Sequence, residues 1–136
     1  MAEIRPFKAL RYNLEKAGSI QELTCPPYDI VSEEQRQQYL GRNGYNVIRL
    51  ELPKEGANPY REAARTLNLW RSEDVLQLDM EAGFYLYEEE FLSQVDQGET
   101  RRVLGLVCRV RLEAFQNGVI LPHEETLSKA KEDRFQ

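Results

Sequence analysis

Gly83-Phe84-Tyr85-Leu86-Tyr87-Glu88-Glu89-Glu90-Phe91-Leu92, then a polar Gln94-Val95-Asp96-Gln97-Gly98 turn, then the apolar-rich run Thr100-Arg101-Arg102-Val103-Leu104-Gly105-Leu106-Val107-Cys108-Arg109-Val110, is the stretch that decides the fold class. In its first half Phe84, Leu86 and Glu88 fall on one face and Tyr85, Tyr87 and Glu89 on the other, the period-two pattern of a strand. Two long strands joined by an Asp-Gln-Gly turn make an antiparallel hairpin. The Glu88-Glu89-Glu90 run reads as a solvated edge that discourages edge-to-edge pairing rather than as a metal site.

Upstream, Pro59-Tyr60-Arg61-Glu62-Ala63-Ala64-Arg65-Thr66-Leu67-Asn68-Leu69-Trp70 is the clearest helix in the chain. Asn58 suits its cap and Pro59 its first turn. Tyr60, Ala63, Ala64, Leu67 and Trp70 form a stripe at helical spacing, predicted to pack in the core rather than to stack on bases. Before it, the alternation of Val47, Arg49 and Glu51 with Ile48, Leu50 and Leu52 predicts a strand ending at Pro53. Earlier still, Pro26 and Pro27 keep the chain extended, and Ser32 with Gln35 is a capping-box signature for a helix ending near Gly41. That places Tyr28 and Asp29 in a loop at the mouth of a helix.

At the amino end, residues 5–13 alternate around Phe7, Ala9 and Leu10 and predict a short strand, followed by a polar turn from Asn13 to Ser19. At the carboxyl end, a turn at Gln116-Asn117-Gly118 and a short apolar piece lead to Pro122, beyond which a helical pattern begins at Thr126 or Ser128. The expectation is a single α+β domain over residues 1–136, with a mostly antiparallel sheet of four or five strands and two or three helices.

A length of 136 residues, 41% hydrophobic content, five Phe, seven Tyr and one Trp suit one ordinary hydrophobic core. A net charge of -5 disfavours the phosphate-neutralising footprint of a nucleic-acid binder. No apolar run approaches the roughly 20 residues of a membrane span, and the start lacks a signal-peptide core. A cytoplasmic location is expected, with neither nucleic acid nor membrane as partner. Cys25 and Cys108 are distant from each other and from any other metal-ligating spacing, so Cys108 is predicted to be a small buried residue and Cys25 a loop residue.

Chemistry concentrates in Leu121-Pro122-His123-Glu124-Glu125-Thr126-Leu127-Ser128-Lys129-Ala130-Lys131-Glu132-Asp133-Arg134. Helical spacing groups Thr126, Ala130, Asp133 and Arg134, and sets Glu125, Lys129 and Glu132 beside them. Lys129, Lys131 and Arg134 supply donors for an anion, while the carboxylates could position a divalent cation or take a proton. The competing reading of the same pattern is a salt-bridged surface helix. It is not a zincin helix, since position 127 is Leu where a second His would be required. No Walker loop, dinucleotide fingerprint, nucleophile elbow or Cys-x-x-Cys occurs in the chain.

Three motifs, in this order, carry a resemblance: Arg5-Pro6-Phe7-Lys8-Ala9-Leu10-Arg11-Tyr12-Asn13, Pro26-Pro27-Tyr28-Asp29-Ile30-Val31, and Pro122-His123-Glu124-Glu125-Thr126 running to Asp133-Arg134. Together they resemble the prokaryotic family known as domain of unknown function 1015. The resemblance implies that the chain is the N-terminal part of a longer protein, and kinship with proteins that phosphorylate free serine using a nucleotide. Carried onto this chain, it marks Tyr28, Asp29, His123, Glu124, Thr126, Lys131, Asp133 and Arg134. Residues 77–97 match no motif of the family.

Two functional expectations follow. In the first, the protein is a small-molecule phosphotransferase using ATP or ADP with Mg²⁺. Arg134, Lys131 and Lys129 hold phosphate, with Thr126 and Tyr28 among the ligand contacts. Asp133 or Glu124 holds magnesium, Glu125 or Asp29 orients the acceptor hydroxyl, and His123 is the alternative base. In the second, the domain is non-catalytic, docks onto the remainder of its own chain and can form a homodimer through the surface so exposed.

Overall fold

The computed structural model describes residues 1–93, 95 and 98–122. In chain order the described elements are β1 (Ile4–Arg5), β2 (Leu10–Tyr12), α1 (Leu14–Ala17), α2 (Ile20–Leu23), α3 (Glu33–Arg42), α4 (Ile48–Glu51), α5 (Pro59–Ser72), β3 (Leu76–Leu78), β4 (Tyr85–Leu92), β5 (Thr100–Val107) and β6 (Arg109–Val110). Single 3₁₀ turns occupy Tyr28–Ile30 and Phe115–Asn117. The fold class is α+β. Among the described residues pairing is antiparallel and is spread over three two-stranded ladders, β1 with β6, β2 with β3, and β4 with β5.

The chain divides into two compact units. One comprises residues 10–78 and contains every described α-helix. Its core gathers Ala17, Leu23, Trp70, Val75 and Leu76, with Tyr12, Tyr45, Leu50 and Leu67 packed around them. Tyr12 packs tilted and Tyr45 edge-on against Trp70 at centroid separations of 6.1 and 5.9 Å, within the range of favourable aromatic pairs. The Tyr12 hydroxyl donates to the Tyr45 carbonyl at 2.7 Å. Burial, and then the nearby Cys25 thiol, push the Tyr12 phenol up to about 12.

The two helices read from the sequence are present. In α3 the Ser32 hydroxyl accepts from Gln35 N–H, and the Gln35 side chain accepts from Ser32 N–H, closing the predicted capping box. In α5 Asn58 accepts from Arg61 N–H and Pro59 opens the helix. Its inward face is rotated from the predicted stripe: Trp70 is buried and Ala63 and Leu67 half-buried, while Tyr60 and Ala64 are exposed. Asp74 takes the left-handed position just past the helix, where Lys16 pairs with it at 3.5 Å and donates to the Glu73 carbonyl.

Two backbone expectations in this unit are corrected, and one strand is new. Residues 47–52 are not a strand, because Asn46 makes the turn α4 instead. The Asn46 side chain is fully buried; its amide donates to the carbonyls of Glu22 (2.6 Å) and Thr24 (3.1 Å), and its oxygen accepts from Ile48 N–H (3.0 Å). This side chain does the backbone pairing that a ladder would otherwise do, and it drives Ile48 into the interior. Residues 13–19 are likewise not a plain turn: Asn13 caps α1 by accepting from Glu15 N–H, and α2 follows. The strand β3 at Leu76–Leu78 was not foreseen, since only its partner β2 tells those three residues to extend.

The other unit combines residues 1–9 with the described residues between 79 and 122. Its spine is the predicted hairpin, with Tyr85 opposite Val107 and Leu92 opposite Thr100 at its two ends. Gly98, at a positive φ of 85°, serves the turn, and its N–H donates to the Ser93 carbonyl. Tyr87 lies directly across the ladder from Gly105. The predicted run from Thr100 onward breaks at Cys108, after which β6 leaves the hairpin and pairs with β1. Cys108 is half-exposed rather than buried. Phe7 bridges to Gly83, and the Tyr85 hydroxyl ties this start together, donating to Asp79 (2.5 Å) and accepting from Ala9 N–H (2.9 Å). Residues 118–120 form a bend with Gly118 left-handed, so no strand leads into Pro122.

Candidate functional site

Of the residues singled out by the sequence, Tyr28 and Asp29 lie within the described structure. The rigid Pro26-Pro27 pair delivers them into the 3₁₀ turn, in which Ile30 N–H donates to the Pro27 carbonyl at 3.2 Å. Tyr28 is half-buried and Asp29 exposed, one turn of chain before α3. The start of that helix is already supplied with acceptor and charge by Ser32, Glu33 and Glu34. His123, Glu124, Glu125, Thr126, Lys129, Lys131, Asp133 and Arg134, with the predicted terminal helix, lie outside the described residues.

Beside α3 a charged network closes the loop that follows α4. The buried Arg36 guanidinium donates to the Leu52 carbonyl at 2.8 Å and pairs with Glu55 and Glu33. Lys54 binds the other Glu33 oxygen at 2.5 Å. The hydrogen bonds from Lys54 and Gln37 pull the Glu33 carboxyl down to about 2. Burial pushes Glu55 up, but its bond from Arg36 and nearby backbone bonds outweigh that and leave it lowered. Every charge here has an opposite partner, so the network is a clamp on the backbone and not an open site.

An open site appears on the β1–β6 ladder. A cleft of about 300 Å³ is lined by Glu3, Arg5, Arg109, Val110 and Arg111. The register sets Arg5 directly across from Arg109, and Arg111 N–H donates to the Glu3 carbonyl at 3.0 Å, which sets Arg111 across from Glu3. Strand alternation therefore gathers Glu3, Arg5, Arg109 and Arg111 on one face. That face carries three positive charges against one negative, in a chain whose net charge is -5. Like charges directly opposite each other destabilise an antiparallel pair, so the ladder tolerates a repulsion that a bound anion would relieve. Guanidinium forks are suited to oxyanions, because their planar donors match two oxygens at once.

Sequence reading missed this cleft. The only local signal is alternation, Glu3-x-Arg5 and Arg109-x-Arg111, which is commonplace. What makes it a site is the pairing of segments more than a hundred residues apart.

Among the described residues no group of three or more His, Cys, Asp or Glu is placed to hold a metal ion, and the residues expected to bind magnesium, Asp133 or Glu124, lie outside them. No helix among them is long and apolar enough to cross a membrane. A family model described as protein of unknown function (DUF1015) matches residues 4–136. No curated protein matches the chain significantly, and neither does any solved structure. The chain belongs to the DUF1015 family.

Proposed function

We propose that this DUF1015 family member binds a phosphorylated small molecule, and that the protein it serves transfers a phosphoryl group to a small hydroxyl acceptor. The observation that carries the binding half is the cleft at β1 and β6, where Arg5, Arg109 and Arg111 converge with a single carboxylate among them. Arginine forks on a positive face recognise phosphate oxygens by charge and by geometry. The transfer half rests on the motif resemblance and on the residue types in 123–134. There Lys129, Lys131 and Arg134 would hold phosphate, Asp133 or Glu124 magnesium, and Glu125, Asp29 or His123 the acceptor hydroxyl. The nucleotide would be ATP or ADP.

Titration calorimetry of the chain with ADP, ATP and a simple phosphate monoester, each with and without Mg²⁺, tests this reading. Millimolar or tighter binding is expected for at least one of them. Dissociation constants all weaker than about 10 mM would sink it.

A second reading, a non-catalytic domain that docks onto the rest of its own chain or onto a second copy, is favoured by the hairpin. Leu86, Leu92 and Leu104 on one of its faces are 79%, 69% and 65% exposed, and Tyr87, Phe91 and Val103 on the other are also exposed. Apolar surface on both sides of a ladder is the mark of an element built to be covered. Light scattering across a concentration series separates the possibilities, a concentration-dependent dimer favouring the second copy.

A further inference from the structure

The arginine cleft already holds an anion of its own. Glu3 Oε1 lies 2.6 Å from Arg5 Nη2 and accepts from Arg5 Nε at 2.9 Å, while Glu3 Oε2 accepts from Arg111 Nη1 at 3.2 Å. One carboxylate thus engages two of the three guanidiniums, one oxygen to each. Arg109, directly across the ladder from Arg5, has no ion pair with a described residue. Each guanidinium offers five N–H donors, so Arg5 and Arg111 keep unused donors on the sides turned away from Glu3.

We propose that Glu3 is a resident counter-ion that sets a charge threshold on this cleft, so that it takes doubly charged oxyanions and turns away singly charged ones. The proposal rests on the anion-binding reading above and adds the class of ligand. A monoanion entering the cleft meets the attraction of Arg109 but also the repulsion of the Glu3 carboxylate, and it brings no more charge than Glu3 already supplies. A dianion answers the whole surplus of two positive charges on the face. It can span Arg109 and the free donors of Arg5 and Arg111 while Glu3 stays in place.

The charged side chains facing the cleft are Arg5 of β1 and Arg109 of β6, with Glu3 just before β1 and Arg111 just after β6, and arginine is a permanent cation. Affinity should therefore follow the ionisation of the ligand. A phosphate monoester loses its second proton near pH 6, so its binding should strengthen roughly tenfold between about pH 5 and about pH 7.5. Sulfate, a dianion throughout, should bind with little pH dependence, and acetate should bind at least about tenfold more weakly than sulfate.

The experiment is calorimetric titration of the whole chain with sulfate, acetate and methyl phosphate across that pH range, for the native protein and for Glu3→Gln. The substitution removes one negative charge next to the ligand, so sulfate should tighten about fivefold, as expected for a charge about 4 Å away in water, and acetate binding should become measurable. The methyl phosphate profile should keep its rise in Glu3→Gln, which assigns the titrating proton to the ligand. Acetate binding as well as sulfate, methyl phosphate binding that is flat with pH, or weaker sulfate binding in Glu3→Gln would each overturn the threshold while leaving an anion site. Failure of every anion to bind at every pH would overturn the anion-binding reading with it.

Discussion

Arg109→Ala should move stability and affinity in opposite directions. Arg109 faces Arg5 across an antiparallel ladder, and nothing described in the structure neutralises it there. Two unit charges about 7 Å apart in water repel by roughly 0.6 kcal/mol, and cross-strand pairs contribute on the order of 0.2–1 kcal/mol. Glu3 offsets part of the Arg5 charge, so relief of the repulsion should leave the variant unchanged or more stable by up to about 0.5 kcal/mol. Binding should suffer far more. A charge-assisted bond to an oxyanion is worth about 1.5–3 kcal/mol, or roughly ten- to a hundredfold in affinity. The assay pairs urea unfolding with calorimetric titration of a phosphate monoester on the same preparations, and Arg109→Lys, which keeps the charge but loses the fork, should fall between. An Arg109→Ala protein that is less stable by more than about 1 kcal/mol and binds unchanged would show that Arg109 serves the fold, and would refute the assignment of the cleft.

Two further predictions concern the helical unit. Asn46→Ala strips partners from the carbonyls of Glu22 and Thr24 and from Ile48 N–H in one step, and should cost about 3 kcal/mol by chemical denaturation; a loss under about 1 kcal/mol would mean that water replaces the amide. Glu33, held down to about 2 by Lys54 and Gln37, stabilises the folded chain above the ordinary carboxylate range, and that contribution fades as pH falls from about 4 toward about 2. The stability difference between the native protein and Glu33→Gln should therefore shrink over that window and also with added salt; a difference independent of pH would contradict the pairing.

The sequence by itself determined the elements whose signals are local. The capping box at Ser32 and Gln35 and the Asn58-Pro59 start of α5 concern backbone groups within one turn, and the structure closes both as read. The β4–β5 hairpin is equally local: alternation and a glycine turn specify antiparallel pairing without help from elsewhere. Tertiary structure decided the rest. Residues 47–52 alternate like a strand, yet a single buried amide, Asn46, reaches two carbonyls more than twenty residues away and turns them into a helix. Leu76–Leu78 extends because β2 lies beside it, and Tyr60 turns outward because the fit of Trp70 between Tyr12 and Tyr45 sets the rotation of α5. The arginine cleft is the extreme case. Four ordinary charged residues become a site because Arg5 and Arg109 are opposed across a ladder, and a spacing of that length has no period for a sequence to display.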